Sequence, residues 1–362
     1  MEDLIILTKF DFERFINFEV MKGSHYSQIQ FKNGEIILFE KFETKNIISV
    51  LHKNLKLNKI FECDDDRGKT VMNIIELSHN KILFCSKDLF LLNIKTNEIK
   101  KIEFPKEEKV LDIIKLKNKN ILGITTSHLI NININGEECA IKKLFDVPEN
   151  LFLKENLGYE FLKQYLDLYE IPNNKLLIHS HSNGLTPMFC GNSIPVEGIS
   201  NKICIFDLNN FSNIYNFDNF ENSKTEINVV ILDKYICISH DDIIDIYDIN
   251  DYKLLKQIND NVSKKYIIKF DENLIIGLSY ISEENNIIIY NLTNIDKISF
   301  KIYNGNFEFA EKKMQGWPLR FSKKKSISKL QNGSLLIICY GRLFIIKFPE
   351  QLKLAKFKTL NN

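Results

Sequence analysis

Two histidines, His179 and His181, form an H-x-H pair within the stretch KLLIHSHSN. Side chains alternate along a strand, so both imidazoles of a predicted strand point to one face, within reach of a single metal ion. Cys190 follows in the adjacent loop and is a third candidate ligand. A structural zinc ion needs four ligands, and the sequence offers no good fourth one. We therefore predict no metal site and no cofactor, and expect both histidines to be hydrogen-bonded side chains at a sheet edge.

An acidic cluster, ECDDDR, covers residues 62–67 beside a predicted turn. Calcium loops need oxygen ligands at alternating positions and usually a central glycine, so a solvated turn is the better interpretation of three adjacent aspartates. The sequence also lacks the G-x-S-x-G, H-E-x-x-H and P-loop motifs. We predict that the protein is not an enzyme. The alternative is a hydrolase or lyase whose scattered His and Asp side chains converge in the folded chain.

A basic and aromatic segment covers residues 304–325 and contains the only tryptophan of the chain. Its candidate partner-binding residues are Trp317, Arg320, Phe321, Lys323 and Lys324. Trp and Arg anchor many protein interfaces, and aromatic residues among basic ones also suit nucleic acid or phospholipid phosphates. The alternative is that Trp317 and Phe321 pack against the fold while the lysines are solvated.

A second candidate segment, residues 181–201, is rich in Gly and Pro and contains Met188 and Phe189. It is either a loop that binds a partner or an ordered connection without one. The stretch before it, residues 146–171, contains YEFLKQYLDLY, whose spacing of apolar residues fits a short helix or a long strand.

These residues are positioned by a chain that repeats one pattern seven times. Each copy joins a strand ending, a polar turn of the Asn-Gly type and an apolar run, which together predict a β-hairpin. The copies are IQFKNGEIILFE (29–40), IELSHNKILFCS (75–86), IKLKNKNILGIT (114–125), YEIPNNKLLIHS (169–180), VVILDKYICISH (229–240), IKFDENLIIGLS (268–279) and KLQNGSLLIICY (329–340). Two more strands follow most copies, giving about four strands per unit of about 52 residues.

Units of four antiparallel strands at this period build a β-propeller, because each blade covers the faces of its neighbours. We therefore predict an all-β fold, a seven-bladed β-propeller of four-stranded antiparallel blades. The alternative is a β-sandwich or two stacked β-domains. Cys339 falls at a repeat position that is mostly apolar or small, so it is expected in the core. The other copies place Phe39, Cys85, Ile124, His179, Ser239 and Leu278 at this position.

Two stretches, KICIFDLNNFSNIYNF and DIIDIYDINDYKLLKQI, resemble the end of a WD40 repeat. In that family a strand closes on an aromatic-Asp pair before a polar turn. The corresponding pairs here are Phe206-Asp207 and Tyr247-Asp248, with Tyr290-Asn291 as a weaker copy. The Trp and the Gly-His dipeptide of the family are missing. The resemblance implies a non-catalytic scaffold for protein–protein interactions within a larger assembly.

The predicted organisation is an N-terminal strand or cap over 1–25, then one propeller over 26–362 with insertions at 181–201 and 304–325. Residues 326–360 are expected to supply all four strands of the last blade. Residues 4–10 then either pair at the seam or form a cap.

Composition suggests a location and gives no argument for charge-driven partners. The chain has 48 basic and 47 acidic side chains, a net charge of +1, so global charge gives no reason to expect nucleic acid or anionic lipid. Seven cysteines without a C-x-x-C pair suggest a reducing compartment. The first residues do not read as a signal peptide, and no run approaches the roughly 18 apolar residues of a membrane span. We expect a cytoplasmic protein whose partners are other proteins.

Overall fold

The computed structural model describes residues 14–16, 25–30, 34–42, 45–52, 57–64, 73–78, 80–85, 88–104, 108–135, 138–148, 151, 163–183, 201–220, 223, 227–241, 243–259, 266–281, 284–292, 296–301, 327–339 and 342–346. Within these residues, 28 strands form seven four-stranded sheets. The chain divides into two compact units, one of residues 71–267 and one of residues 1–70 with 268–362.

The unit of residues 1–70 and 268–362 contains sheets 1 and 7 and nearly all of sheet 6. Sheet 1 comprises β2 (His25–Gln30), β3 (Ile36–Phe42), β4 (Lys45–Leu51) and β5 (Leu57–Asp64). Sheet 6 comprises β22 (Tyr266–Asp271), β23 (Leu274–Ile281), β24 (Glu284–Asn291) and β25 (Asp296–Lys301). Sheet 7 comprises β1 (Arg14–Ile16), β28 (Arg342–Ile346), β27 (Leu335–Cys339) and β26 (Ile327–Lys329), in that spatial order.

The unit of residues 71–267 contains sheets 2 to 5. Sheet 2 comprises β6 (Asn73–Ser78), β7 (Lys81–Cys85), β8 (Leu89–Asn93) and β9 (Glu98–Ile102). Sheet 3 comprises β10 (Val110–Lys115), β11 (Ile121–Thr125), β12 (His128–Asn135) and β13 (Glu138–Asp146). Sheet 4 comprises β14 (Lys163–Ile171), β15 (Lys175–Asn183), β16 (Asn201–Asp207) and β17 (Ser212–Phe217), followed by a 3-10 helix, Asp218–Phe220. Sheet 5 comprises β18 (Asn228–Ile231), β19 (Tyr235–His240), β20 (Ile243–Asp248) and β21 (Leu254–Asn259).

The predicted hairpins are confirmed, because each of the seven copies forms a hairpin of two neighbouring strands within one sheet. Turn chemistry explains why they form. Gly34 and Gly333 have φ values of 87° and 82°, and Asn173 and Asn174 have 64° and 55°. Glycine adopts this left-handed backbone without steric cost, and asparagine adopts it more readily than most residues. The turns thereby fix the register of the strands on either side.

The aromatic-Asp pairs close the third strand of sheets 4 and 5 in the same way. The Asp207 carboxylate accepts the backbone N–H of Asn209 at 2.8 Å, and that of Asp248 accepts the N–H of Asn250 at 2.7 Å. Such turns let the side chain replace a backbone acceptor. Phe206 and its neighbours inside the strands are buried, so the pair marks where a core strand ends and a surface turn begins.

Consecutive sheets in the unit of residues 71–267 bury their apolar faces against each other. One buried cluster joins sheets 2 and 3, a second joins sheets 3 and 4, and a third joins sheets 4 and 5. Sheet 4 is therefore covered on both faces, since Ile178 packs toward sheet 3 and Leu177 toward sheet 5. The repeat position predicted to be core is buried in every described copy: Phe39, Cys85, Ile124, His179 and Ser239.

Sheet 7 differs from the prediction that residues 326–360 supply its four strands. Its fourth strand is β1, which pairs antiparallel with β28 through Phe15 and Phe344. A strand from the other end of the chain covers the edge that β28 would otherwise leave unpaired. The predicted strand at residues 4–10 lies outside the described residues.

Sheet 4 begins with a long strand rather than a helix, because residues 163–171 are strand throughout. The bulk of both insertions, residues 184–200 and 302–326, lies outside the described residues. Among the residues that are described, no helix has the length and apolar character needed to cross a membrane.

Candidate functional site

A polar cluster occupies the face of sheet 4 that packs against sheet 5. Asp167 comes from β14, His179 and His181 from β15, and Asn201 from β16. The strand register pairs Asp167 with His179 and His181 with Asn201, so all four side chains share one face. We call these four residues the Asp-His cluster.

Short polar contacts hold the Asp-His cluster together. His181 Nε2 lies 3.1 Å from Asp167 Oδ2, and His179 Nε2 lies 3.2 Å from Asn201 Oδ1. The two imidazole rings stack with their centroids 4.8 Å apart. Both histidines and Asn201 are buried, whereas the Asp167 side chain is 22% exposed. Solvent therefore reaches the cluster at its carboxylate.

His179 carries a ring nitrogen that is not satisfied. In this orientation of the Asn201 amide, whose Nδ2 also has no hydrogen-bond partner, Nε2 of His179 donates to Asn201 Oδ1, which leaves Nδ1 with a lone pair. Nδ1 has no hydrogen-bond partner and lies 3.6 Å from Asp167 Oδ2. Burial holds the pKa of His179 well below its ordinary value, and the neighbouring His181 lowers it further. The imidazole is thus neutral at neutral pH, with a bare nitrogen beside a carboxylate oxygen.

The local sequence explains how a histidine reaches this buried position. The three-residue turn Pro172–Asn174 sets the register of β14 and β15, because both of its asparagines take the left-handed backbone. A shift by one residue would turn both histidines to the opposite face. Other sheets place Phe, Cys, Ile, Ser or Leu where sheet 4 has His179. A neutral imidazole there is the polar exception to a core position.

Sheets 3 and 5 also contain histidine–carboxylate pairs, but these are built differently. His240 Nε2 lies 3.1 Å from Asp245 Oδ2, and Asp245 also accepts hydrogen bonds from Tyr247 at 3.2 Å and Gln257 at 2.9 Å. Burial alone lowers the pKa of His240, but its hydrogen bond to Asp245 and the nearby charges of Asp245 and Asp241 outweigh burial and raise the pKa. His240 is therefore an ion-pairing residue, in contrast to His179.

In sheet 3 the carboxylate is Glu108, which lies 3.1 Å from His128 Nδ1, a nitrogen that, like Nδ1 of His179, makes no hydrogen bond. It also accepts hydrogen bonds from Lys143 at 2.8 Å and Thr125 at 3.0 Å. Burial raises the pKa of Glu108, but these three partners outweigh it and hold the pKa below its ordinary value. A carboxylate surrounded by donors in this way is a structural link between strands.

A second feature lies on the last strands of sheets 4 and 5. Ile214, Leu254 and Leu255 are the large apolar side chains that are strongly exposed within the described residues, at 41%, 43% and 54%. Ile214 and Leu255 occupy bulges, since the strand pairing skips both of them. Tyr215 of β17 and Tyr252, which precedes β21, have their ring centroids 5.1 Å apart, a contact between sheets 4 and 5. We call Ile214, Leu254 and Leu255 the apolar flank.

A cleft of about 450 Å³ opens between sheets 2 and 3. Its lining includes Lys81, Lys115 and Lys119 together with Asn120 and Asn131. Lys115 Nζ donates to the Glu76 carbonyl at 2.7 Å, so that ammonium group holds the two sheets together.

The comparisons with known proteins concern the fold. No family model matches the sequence, and no curated protein matches it. Among solved structures, the β-propeller domain of Cps50 (Swd1) from Myceliophteria thermophila aligns with a TM-score of 0.54 at 10% identity, covering 93% of this chain and 99% of that one. The chain is a β-propeller. The WD40-like repeat ends at Phe206-Asp207 and Tyr247-Asp248 agree with this fold.

Two further solved structures align less closely with this chain. The computationally designed protein Ika8 gives a TM-score of 0.49 at 10% identity, covering 91% of this chain and 98% of that one. The dihydro-heme d1 dehydrogenase NirN gives 0.45 at 13% identity, covering 77% and 66%.

The structure places only some of the predicted site residues close together. His179 and His181 share one face, as strand alternation predicts, but the third group beside them is Asp167. The predicted third ligand, Cys190, lies outside the described residues. So do the predicted partner-binding residues, which are Trp317, Arg320, Phe321, Lys323, Lys324, Met188 and Phe189.

Sequence reasoning missed Asp167 and Asn201. Counting outward from the Pro172–Asn174 turn places Asp167 opposite His179, so the hairpin register carried a usable signal. The position of Asn201 had no such signal, because residues 184–200 separate β15 from β16 in the chain. The apolar flank was also missed, since exposure of a leucine on a last strand depends on bulges that the sequence does not mark.

Proposed function

We propose that this propeller is a non-catalytic scaffold that binds other proteins as part of a larger assembly. The observation that carries the proposal is the apolar flank. Large exposed apolar groups that lie together mark surfaces that a partner covers. Leu254 and Leu255 are adjacent on β21, and Ile214 lies on the last strand of the neighbouring sheet.

The flank favours contact through side chains over addition of a partner strand. Bulges at Ile214 and Leu255 interrupt the regular backbone spacing of both last strands. Exposed lysines, Lys253 and Lys256, border or lie within β21. Bulges and lysines both discourage strand-to-strand pairing at an edge. A partner on this flank therefore packs an apolar surface of its own against the leucines.

Two segments predicted from the sequence extend the same proposal. Trp317 and Arg320 are of the residue types that dominate binding energy at interfaces, and Met188 and Phe189 lie in the other insertion. The nearly balanced charge of the chain favours protein partners over nucleic acid or anionic lipid. We place the protein in the cytoplasm, a proposal that the free cysteines of the described residues support. These are Cys85, Cys139, Cys204 and Cys237.

The proposal is tested by affinity purification from the native organism with quantitative mass spectrometry. A double variant, Leu254→Lys with Leu255→Lys, is expected to lose one or more partners that the wild-type chain captures. Because both leucines are exposed, the free energy of unfolding should change by no more than about 0.5 kcal/mol per site.

The matched control is Lys256→Gln, which changes the same strand without touching an apolar side chain. It should capture the wild-type set of proteins. Identical captured sets for the double variant and the wild type would remove the apolar flank as a binding surface.

A further inference from the structure

We propose that Asp167, His179 and His181 bind one divalent transition-metal ion of the zinc type. The ligand atoms are Nδ1 of His179, Nε2 of His181 and Oδ2 of Asp167. This site uses none of the residues of the apolar flank. The metal-binding proposal can therefore be tested independently of the protein-binding role.

The distances from the Asp167 oxygen to both histidine nitrogens are close to those of tetrahedral coordination. With zinc bonds of about 2.0–2.2 Å, two ligand atoms of a tetrahedron lie about 3.4 Å apart. Asp167 Oδ2 lies 3.1 Å from His181 Nε2 and 3.6 Å from His179 Nδ1. One ligand atom from each of the three residues falls within 4.8 Å of the others. To share one ion, the two histidine nitrogens have to move toward each other by up to about 1.4 Å, which rotation of the side chains can supply.

The unpartnered Nδ1 of His179 lies beside the Asp167 carboxylate in an arrangement that suits a shared cation. The Nδ1 lone pair faces the Asp167 oxygen without a proton between them. Two electron-rich atoms at this distance repel each other unless a positive charge lies between them. A metal ion removes the repulsion and uses the neutral imidazole as a ligand.

The second nitrogen of His179 already has the partner that metal-binding histidines require. Such histidines donate their other N–H to an oxygen, which fixes the tautomer and the ring orientation. Nε2 of His179 donates to Asn201 Oδ1 at 3.2 Å. His181 binds the ion as the tautomer that carries its proton on Nδ1, a form available to any neutral imidazole.

The donor set indicates which metals fit. Two imidazoles and one carboxylate suit Zn²⁺, Co²⁺, Ni²⁺ or Fe²⁺, whereas Ca²⁺ and Mg²⁺ prefer oxygen ligands. Three protein ligands leave one coordination position for water or an outside group. The partly exposed Asp167 side chain marks the direction from which the ion and that fourth ligand arrive.

The test uses the purified full-length chain, stripped with EDTA and titrated with Co²⁺, whose visible absorption reports tetrahedral coordination. One Co²⁺ per chain is expected, displaced by Zn²⁺. Asp167→Asn and His181→Gln should each abolish the absorption bands. Asn201→Ala should weaken binding by about 10–100-fold, because it removes only the partner that orients His179.

The matched control is His240→Gln, which removes a histidine–carboxylate pair in the neighbouring sheet and should leave the bands unchanged. Thermal unfolding gives a second readout: Zn²⁺ should raise the Tm of the wild type and of His240→Gln, and should leave that of Asp167→Asn unchanged. The proposal is overturned if the wild type binds no stoichiometric Co²⁺. It is equally overturned if Asp167→Asn and His181→Gln keep both the bands and the Tm shift.

Discussion

Asp167 and His179 face each other across the β14–β15 pair with 3.6 Å between Oδ2 and Nδ1, and no hydrogen bond joins those two atoms. One sheet further along, Asp245 and His240 lie at 3.1 Å and do form a hydrogen bond. The same residue types thus meet in two different states within one unit. The difference comes from burial and from the acceptor, Asn201, that fixes the His179 proton on the opposite side of the ring.

The stability of the chain should depend on pH through His240. Its pKa is raised in the folded state, so the stabilisation it gives is complete below the ordinary value of 6.5 and is lost as pH rises through the folded value. The free energy of unfolding should therefore fall above about pH 6.5, by at most about 1.4 kcal/mol per pH unit from this group. Urea unfolding across that window measures it, and His240→Gln should lose this part of the slope. An unchanged slope in the variant would assign the pH dependence to another group.

Asp112 links sheets 3 and 4 from a buried position. Its carboxylate accepts the backbone N–H of Ile113 at 2.8 Å and that of Leu168 at 2.9 Å, the latter from β14. Asp112→Ala should lower the free energy of unfolding by about 1–3 kcal/mol, because it leaves buried N–H donors without an acceptor. The control is Asp88→Ala, which removes a more exposed ion pair with Lys101 and should cost less than about 1 kcal/mol. Equal losses for the two variants would contradict the role given to Asp112.

Gly123 in β11 allows a close approach by the next strand. A Cβ at this position would lie 3.0 Å from Ile130 Cγ1 and 3.1 Å from Ile130 Cδ1. Gly123→Ala should therefore lower the free energy of unfolding by about 1–3 kcal/mol through overpacking. Ile130→Val removes one of the crowding atoms, so the double variant should lose less than the sum of the two single changes. Strict additivity of the three measurements would rule out the steric explanation.

Trp317 and Arg320 are predicted to anchor a partner. Replacing both with Ala should weaken partner capture in the affinity purification described above and leave the Tm nearly unchanged. A large fall in Tm would instead make them packing residues, and the interface hypothesis for residues 304–325 would fail.

Most of the fold could be predicted from the sequence, because the signals for each sheet are local. An Asn or Gly turn and an alternating apolar run lie within a dozen residues, as in the hairpin of β14 and β15. The pairing of β1 with β28 had no such signal, since Arg14 and Ile345 are far apart in the chain and only the folded protein brings them together. Only half of the Asp-His cluster could be predicted from the sequence, for the same reason. His179 and His181 are neighbours in sequence, whereas Asn201 joins them only through strand pairing.

The most direct test of the binding role is hydrogen exchange at the backbone amides of β21, compared between the free chain and the purified assembly. The account predicts that exchange over residues 254–259 slows in the assembly, because a partner covers Leu254 and Leu255. Slowing should be smaller in sheet 2, which carries no part of the apolar flank. Exchange over residues 254–259 that is equally fast in the free chain and in the assembly would contradict the proposal that this flank is where the propeller binds its partner.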